Sequence, residues 1–426
     1  MAARSLAAGS TAAVASGLGS QSVGGGSNSA FEASRSAGSP RQPDLPPAPS
    51  DLKITDVKVL KLRNEPEEDL WAWLSESLVA NPMSIYPKYR EKRSSWMSDF
   101  GSVYVEIQTD KGVYGHGEGG GGDAAAIIVE KHFKRLLVGE DPFDVERLWD
   151  ILFRASLPYG RKGLAIMALS GVDLALWDIR GKALGLSVYK LLGGKTKEKI
   201  FAYATGNDAE WFVRQGFRAV KLAMPHGPAD GREGMRKNVE LVRRTREIVG
   251  PDADVMLDCY MAWDVEYTLR MAELLEPYKV RWIEEALLPD DYEGFGKLNA
   301  QIHSTLIATG EHEFTRFGFE ELLHHKGASI LQPDITWCGG LTEIRKIADL
   351  AAAQGLPVIP HAGGTVWGLH FIAATPNAPW AETIGPSREL ERERKSRIRR
   401  FFPLPEKGFL WPADDPGFGI DLRKFI

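Results

Sequence analysis

The sequence predicts an α/β chain in which a (β/α)8 barrel of the TIM type follows an N-terminal α+β domain. Three observations carry that expectation. Five short apolar runs each end in a polar residue, in turn Asp258, Glu284, Glu311, Asp334 and His361. The intervals between them are 26, 27, 23 and 27 residues, about the length of a strand, loop and helix together. Alternating strands and a hairpin precede this region and helical periodicity follows them, an order that marks a separate domain.

Taken in order, residues 1–50 stand apart, with Ala, Gly, Ser and Pro making up 34 of the 50. Such a segment cannot bury enough apolar surface to offset chain entropy, so a disordered extension is expected. Its two acids beside Arg4, Arg35 and Arg41 permit an organellar transit peptide, but no amphipathic apolar face accompanies them. The α+β domain is expected over residues 51–190. It opens on the alternating run from Leu52 to Leu60. A second strand over 103–109 enters the turn Asp110-Lys111-Gly112, with a short third strand at 113–115. Helices are expected over 124–137, 143–153 and 164–184. The glycine-rich run over 117–122 lacks the Gly-Lys-Ser/Thr ending of a phosphate loop and the helix of a dinucleotide fingerprint. It reads as a flexible loop, placed to serve as a lid.

The barrel is expected over 191–390. Candidate first and second strands lie at 201–204 and 219–222, the five runs follow, and 381–384 makes an eighth. Helices with polar outer faces are expected over 239–248, 265–275 and 341–353. A C-terminal segment, 391–426, carries a turn and short strand at 416–420 that is expected to return to the first domain.

Composition narrows the function classes. The chain has 426 residues, 43% hydrophobic and 26% charged, with a formal net charge of -5. No basic face with interleaved aromatics is visible, which speaks against nucleic acid. Cys259 and Cys338 are too few for a disulfide framework and form no CxxC pair, so both are expected in buried packing. No apolar stretch approaches the ~18 residues of a transmembrane helix, and a cytoplasmic location is expected.

In a parallel barrel the C-terminal strand ends line one face, where loop-borne chemistry sits. Asp258, Glu284 and Glu311 would form a hard oxygen cage there for Mg²⁺. Asp334 beside His361 would make an oriented base. A single polar strand end is unremarkable where a strand meets solvent. Five in register are not.

Several longer motifs surround these residues. They are Asp173-Leu174-Ala175-Leu176-Trp177-Asp178-Ile179-Arg180-Gly181-Lys182, Leu257-Asp258-Cys259, Trp282-Ile283-Glu284-Glu285, Gly310-Glu311-His312, Gln332-Pro333-Asp334 with Trp337-Cys338-Gly339-Gly340, and Pro360-His361. Through them the chain, from Lys53 to about Leu422, resembles the mandelate racemase branch of the enolase superfamily, and within it the L-rhamnonate dehydratases. The resemblance implies a capping domain over a modified (β/α)8 barrel, Mg²⁺ on Asp258, Glu284 and Glu311, and a sugar-acid substrate contacted by Arg93. Lys221 matches the first lysine of the branch's Lys-x-Lys pair, while Ala223 replaces the second and Ala72 stands where the dehydratases carry a His. Loss of the second lysine speaks against two-base racemisation.

The expected reaction is removal of the C2 proton by His361, with Asp334 fixing its tautomer, and return of that proton to the departing 3-hydroxyl. The product would be a 2-keto-3-deoxy acid, which makes the chain a hydro-lyase. His312 is expected as a substrate contact or auxiliary acid, or else as a structural His. Lys221 would stabilise developing charge on the substrate or pair with a ligand carboxylate, and strand alternation would turn Glu285 away. A homo-oligomer is expected. The rivals are an acid-sugar epimerase or racemase, needing a second base, and a non-catalytic sugar-acid sensor.

Overall fold

In the computed structural model, described over residues 51–62, 79–91, 100–384, 401 and 403–426, the chain begins as an antiparallel sheet. The expected extension over 1–50, Ala72, Arg93 and the charged run over 388–400 lie outside these residues. Strands β1 (Ile54–Leu60), β2 (Val103–Thr109) and β3 (Tyr114–Gly119) pair in that order. Helical segments follow: α1 (Gly122–Ile128), continued by a π turn at Val129–Phe133 and a last turn at Lys134–Leu137, then α2 (Val145–Ser156), α3 (Leu164–Leu184) and a short turn at Val188–Leu191. The middle of α3 is buried on every side, as its apolar sequence requires of a helix enclosed between layers.

The glycine-rich run is not a lid. β3 extends through Gly119, and a Cβ at Gly115, Gly117 or Gly119 would lie 2.1, 2.0 or 2.2 Å from the carbonyl oxygens of Ala175, Gly171 and Met167. Every second residue of a strand meets every fourth residue of a helix, so these glycines let the β3 backbone lie directly on α3.

The barrel strands are β4 (Ile200–Thr205), β5 (Ala219–Ala223), β6 (Asp254–Asp258), β7 (Trp282–Glu284), β8 (Leu306–Thr309), β9 (Ile330–Leu331) and β10 (Trp380–Ile384). Neighbours run parallel, and β10 returns beside β4. The seventh strand expected over 357–361 is only a bridge between Leu331 and Val358, with Ile359 N–H donating to the Leu331 carbonyl at 2.9 Å. Pro357 and Pro360 flank that bridge and have no N–H for a longer ladder. Helices α4 (Ala209–Arg214), α5 (Gly231–Val249), α6 (Val265–Leu275), α7 (Tyr292–Gln301), α8 (Thr315–His324), α9 (Gly340–Ala353) and α10 (Val366–Ala374) follow the strands in turn. α5 starts well before residue 239 because its first turns are charged and carry no apolar period to read.

Two interior levels matter for the site. Tyr203, Ala219, Met256, Trp282, Ala308, Ile330 and Ile359 form an apolar layer, with Trp380 packed against it. Two residues further along each strand stand Thr205, Lys221, Asp258, Glu284, Gly310, Gln332, His361 and Glu382. Alternate residues share a face, so the strands deliver a polar layer at one level above an apolar floor.

The C-terminal segment touches both parts. β11 (Phe409–Leu410) pairs antiparallel with the start of β4, a pairing the sequence did not suggest. The short strand expected at 416–420 is only a bridge from Gly417 to Ser187. Beyond it Phe418 N–H donates to Asp178, and the Arg423 guanidinium reaches both oxygens of Glu106 at 2.6 and 3.0 Å. No helix among the described residues is long and apolar enough to cross a membrane.

Candidate active site

Asp258 closes β6 and Glu284 closes β7, while Glu311 lies just past β8 beyond Gly310, whose φ of 128° only glycine adopts easily. One carboxylate oxygen from each of the three lies within 4.8 Å of the others. Burial pushes the Glu284 carboxyl up to about 8 and Glu311 to about 7, and the neighbouring carboxylates push the same way. Asp258 is also raised by burial. Each acid pays for its neighbours.

Lys221 and Glu382 lie against this cluster. The fully buried Lys221 ammonium contacts Glu284, Glu382 at 2.8 Å and Asp258 at 3.5 Å. Burial alone would lower its pKa, but Glu284, Glu382 and Asp258 together hold it well above the ordinary lysine value. Of the two roles expected for Lys221, this geometry is the ion pair with carboxylates. Trp282 Nε1 and Gln332 Nε2 both donate to Glu284 Oε2, at 3.1 and 2.6 Å. Glu382 also accepts from Thr205 Oγ1 and, at 2.9 Å, from Ala362 N–H. Although burial pushes the Glu382 carboxyl up, Lys221 and His361 hold it at about 2. Sequence reading missed both Gln332 and Glu382. Their signal was available, since each stands two residues after an inward apolar residue, Ile330 and Trp380.

His361 Nδ1 lies 2.7 Å from Asp334 Oδ2, while Asp334 Oδ1 accepts from Thr336 N–H and Oγ1 at 2.6 and 2.7 Å. With Nδ1–H donated to Asp334, Nε2 is the working atom, and it faces Glu311 at 3.2 Å. Burial would lower the His361 pKa, but Glu311 and Asp334 raise it well above the ordinary value. Glu285 does not follow the strand alternation that would turn it away. Its φ of 43° swings it to His312, with Oε2 2.8 Å from Nδ1 and Oε1 accepting the His312 N–H at 3.0 Å. Burial opposes the charged form of His312, yet Glu285 and Glu311 raise it to about 9. A second His–carboxylate pair therefore stands beside the first. Tyr260, Met261, Glu285 and Ala362, all just past strand ends here, hold left-handed φ of 45°, 60°, 43° and 49°. Strained backbone of this kind clusters at functional sites.

The structure thus brings Asp258, Glu284, Glu311, Asp334, His361, His312 and Lys221 to one face, and Arg93 lies outside the described residues. Among the described residues, six carboxylates (Asp258, Glu284, Glu285, Glu311, Asp334 and Glu382) face only Lys221, His312 and His361. Excess negative charge on hard oxygen donors fits a divalent cation such as Mg²⁺. An imidazole with a fixed tautomer beside that cage can accept a proton from whatever the cage holds.

The chain is similar to several known proteins over most of its length. Residues 205–426 match the family model described as enolase C-terminal domain-like, and residues 94–193 match the mandelate racemase/muconate lactonizing enzyme N-terminal domain. L-rhamnonate dehydratase of Saccharopolyspora erythraea is 42% identical over 389 residues, spanning 88% of this chain and 98% of that protein. A structure of rhamnonate dehydratase from Gibberella zeae complexed with Mg is 38% identical, with a TM-score of 0.80 over 87% of this chain and 95% of that one. The 3,6-anhydro-D-galactonate cycloisomerase of Zobellia galactanivorans is 31% identical, with a TM-score of 0.67 over 76% of this chain and 93% of that one.

Proposed function

The chain belongs to the mandelate racemase/muconate lactonizing enzyme family of the enolase superfamily, and from that membership we propose a Mg²⁺-dependent acid-sugar dehydratase acting on L-rhamnonate. One observation carries the reading: the His361–Asp334 pair abuts Glu311, so a base of fixed tautomer borders a cluster of three carboxylates. Asp258, Glu284 and Glu311 would hold the ion. Bound there, it supplies a fixed positive charge against which the charge of a deprotonated acid sugar develops.

The chain's own residues do the rest. His361 Nε2 takes the C2 proton, and Asp334 accepts the Nδ1–H and stabilises the resulting imidazolium. His361 then returns the proton to the departing 3-hydroxyl, and the enol product becomes a 2-keto-3-deoxy acid. Such general acid assistance is worth ~10²–10⁴-fold, because hydroxide leaves poorly without it. Lys221, locked between Glu284 and Glu382, keeps the carboxylates from repelling one another apart and does not serve as a base.

The His312–Glu285 pair favours a second reading, an epimerase in which His312 is the second base. Product analysis separates the two. Incubation with Mg²⁺ and a panel of acid sugars should yield a keto acid that reacts with semicarbazide, fastest from L-rhamnonate, with all turnover lost after exhaustive chelation. An epimerised acid with no keto product, or full activity without the metal, would overturn the dehydratase.

A further inference from the structure

Four rings stand in a row along the C-terminal face of the barrel. Tyr260 meets His312, His312 meets Trp337, and Trp337 meets His361, with 5.5 Å between successive ring centroids. All four are half-buried, so each keeps some exposed surface. The two imidazoles have carboxylate partners, Asp334 and Glu285. Trp337 has no such partner, and its indole N–H makes no hydrogen bond among the described residues. An indole held between two ionisable imidazoles, with no proton of its own to exchange there, offers surface rather than acid–base chemistry.

Its position is fixed from two sides. The Trp337 backbone N–H donates to the Asp334 carbonyl at 3.0 Å, within the turn that also aims Asp334 at His361. From the capping domain, Gly120 N–H donates to the Thr336 carbonyl at 3.3 Å, and a Cβ on Gly120 would lie 2.7 Å from the indole Nε1. The last part of the glycine-rich run is therefore the backstop of the ring.

We propose that Trp337 is a specificity-determining residue, the platform on which the carbon chain of the acid sugar lies beyond C3. This rests on the dehydratase reading. If C2 is presented to His361 at one end of the row, the remaining carbons run along Trp337 toward His312. The C–H edge of a polyol carries partial positive charge and packs well on the negative face of an indole. His312, with Nδ1 committed to Glu285, has Nε2 for the hydroxyls at the far end.

Calorimetry with Mg²⁺ present tests this, in a His361→Asn background that prevents turnover. The ligands are a six-carbon acid, L-rhamnonate, and the three-carbon acid glycerate, which keeps C1 to C3 and has no further chain. Trp337→Ala should weaken L-rhamnonate by ~10-fold or more, about 1.4 kcal/mol of lost stacking and burial for each decade, and leave glycerate within about twofold. Trp337→Phe should restore most of the loss. Gly120→Ala, which keeps the indole but displaces it, should show the same selective weakening. Unchanged L-rhamnonate binding in Trp337→Ala, or equal loss of both ligands, would overturn the platform. Failure of the His361→Asn parent to bind either acid would instead overturn the dehydratase reading on which it rests.

Discussion

Asp334 acts at the residue scale through a single hydrogen bond, the one that leaves His361 Nε2 facing the carboxylates. Asp334→Asn would keep the ring in place but favour the wrong tautomer. Turnover should fall by up to ~10⁴-fold, by comparison with the serine-protease triad, while Mg²⁺ affinity measured by calorimetry stays within about threefold. A variant that lost Mg²⁺ binding in parallel would show that Asp334 shapes the cage instead. Glu284→Gln should do the reverse, because it removes a charge from the carboxylate cluster and leaves Lys221 with Glu382 and the more distant Asp258. Mg²⁺ affinity should drop by ~10-fold or more, and rising metal concentration should restore part of the activity. The residues named from the sequence were legible because each closes an apolar run at an interval of 23 to 27 residues, a repeat that even one chain displays. Glu285 was misjudged because its left-handed φ breaks that alternation, and no residue type announces such a φ.

At the scale of elements, backbone approach decides what composition cannot. Gly117 lies on β3 where any Cβ would stand 2.0 Å from the Gly171 carbonyl oxygen in α3. Gly117→Ala must push strand and helix apart, an overpacking that costs ~1–3 kcal/mol and should lower the denaturation midpoint. An unchanged midpoint would mean that the two elements are not held together this tightly. In α10 the buried His370 accepts the Tyr189 N–H at 3.2 Å, and burial lowers its pKa to about 3. The unfolded chain takes up a proton below about 6.5 that the fold refuses until about 3. This contribution to stability is thus present above pH 6.5 and lost as pH falls through that window, by at most ~1.4 kcal/mol per unit. His370→Gln, which can still accept the Tyr189 N–H, should lose that part of the slope; an identical slope would assign the acid sensitivity elsewhere. Element types were readable where apolar periods run clearly, as in α2 and α6. They were not readable where two prolines cut the seventh strand to a bridge, or where glycines serve close packing rather than mobility.

At the scale of the whole molecule, the capping domain docks on the loop that carries the proposed base's partner. Trp149 Nε1 donates to the Gly339 carbonyl at 2.7 Å, Thr342 N–H donates to Asp173 at 2.9 Å, and Gly120 reaches Thr336. The long motif beginning at Asp173 therefore supports the β9–α9 loop and, through it, Asp334. Order of domains was legible from the shift between alternating and helical periods. The contacts that join them were not, since they run between backbone groups and residues far apart in sequence. Everything proposed for the site turns on removal of the C2 proton by His361. It is tested most directly by following hydrogen–deuterium exchange at C2 of L-rhamnonate in D₂O, with Mg²⁺, in the wild type and in His361→Asn. The wild type should form keto acid, and the variant should show neither exchange nor keto acid while binding Mg²⁺ with unchanged affinity. Rapid C2 exchange in His361→Asn would remove His361 from that role and pass the role of base to His312.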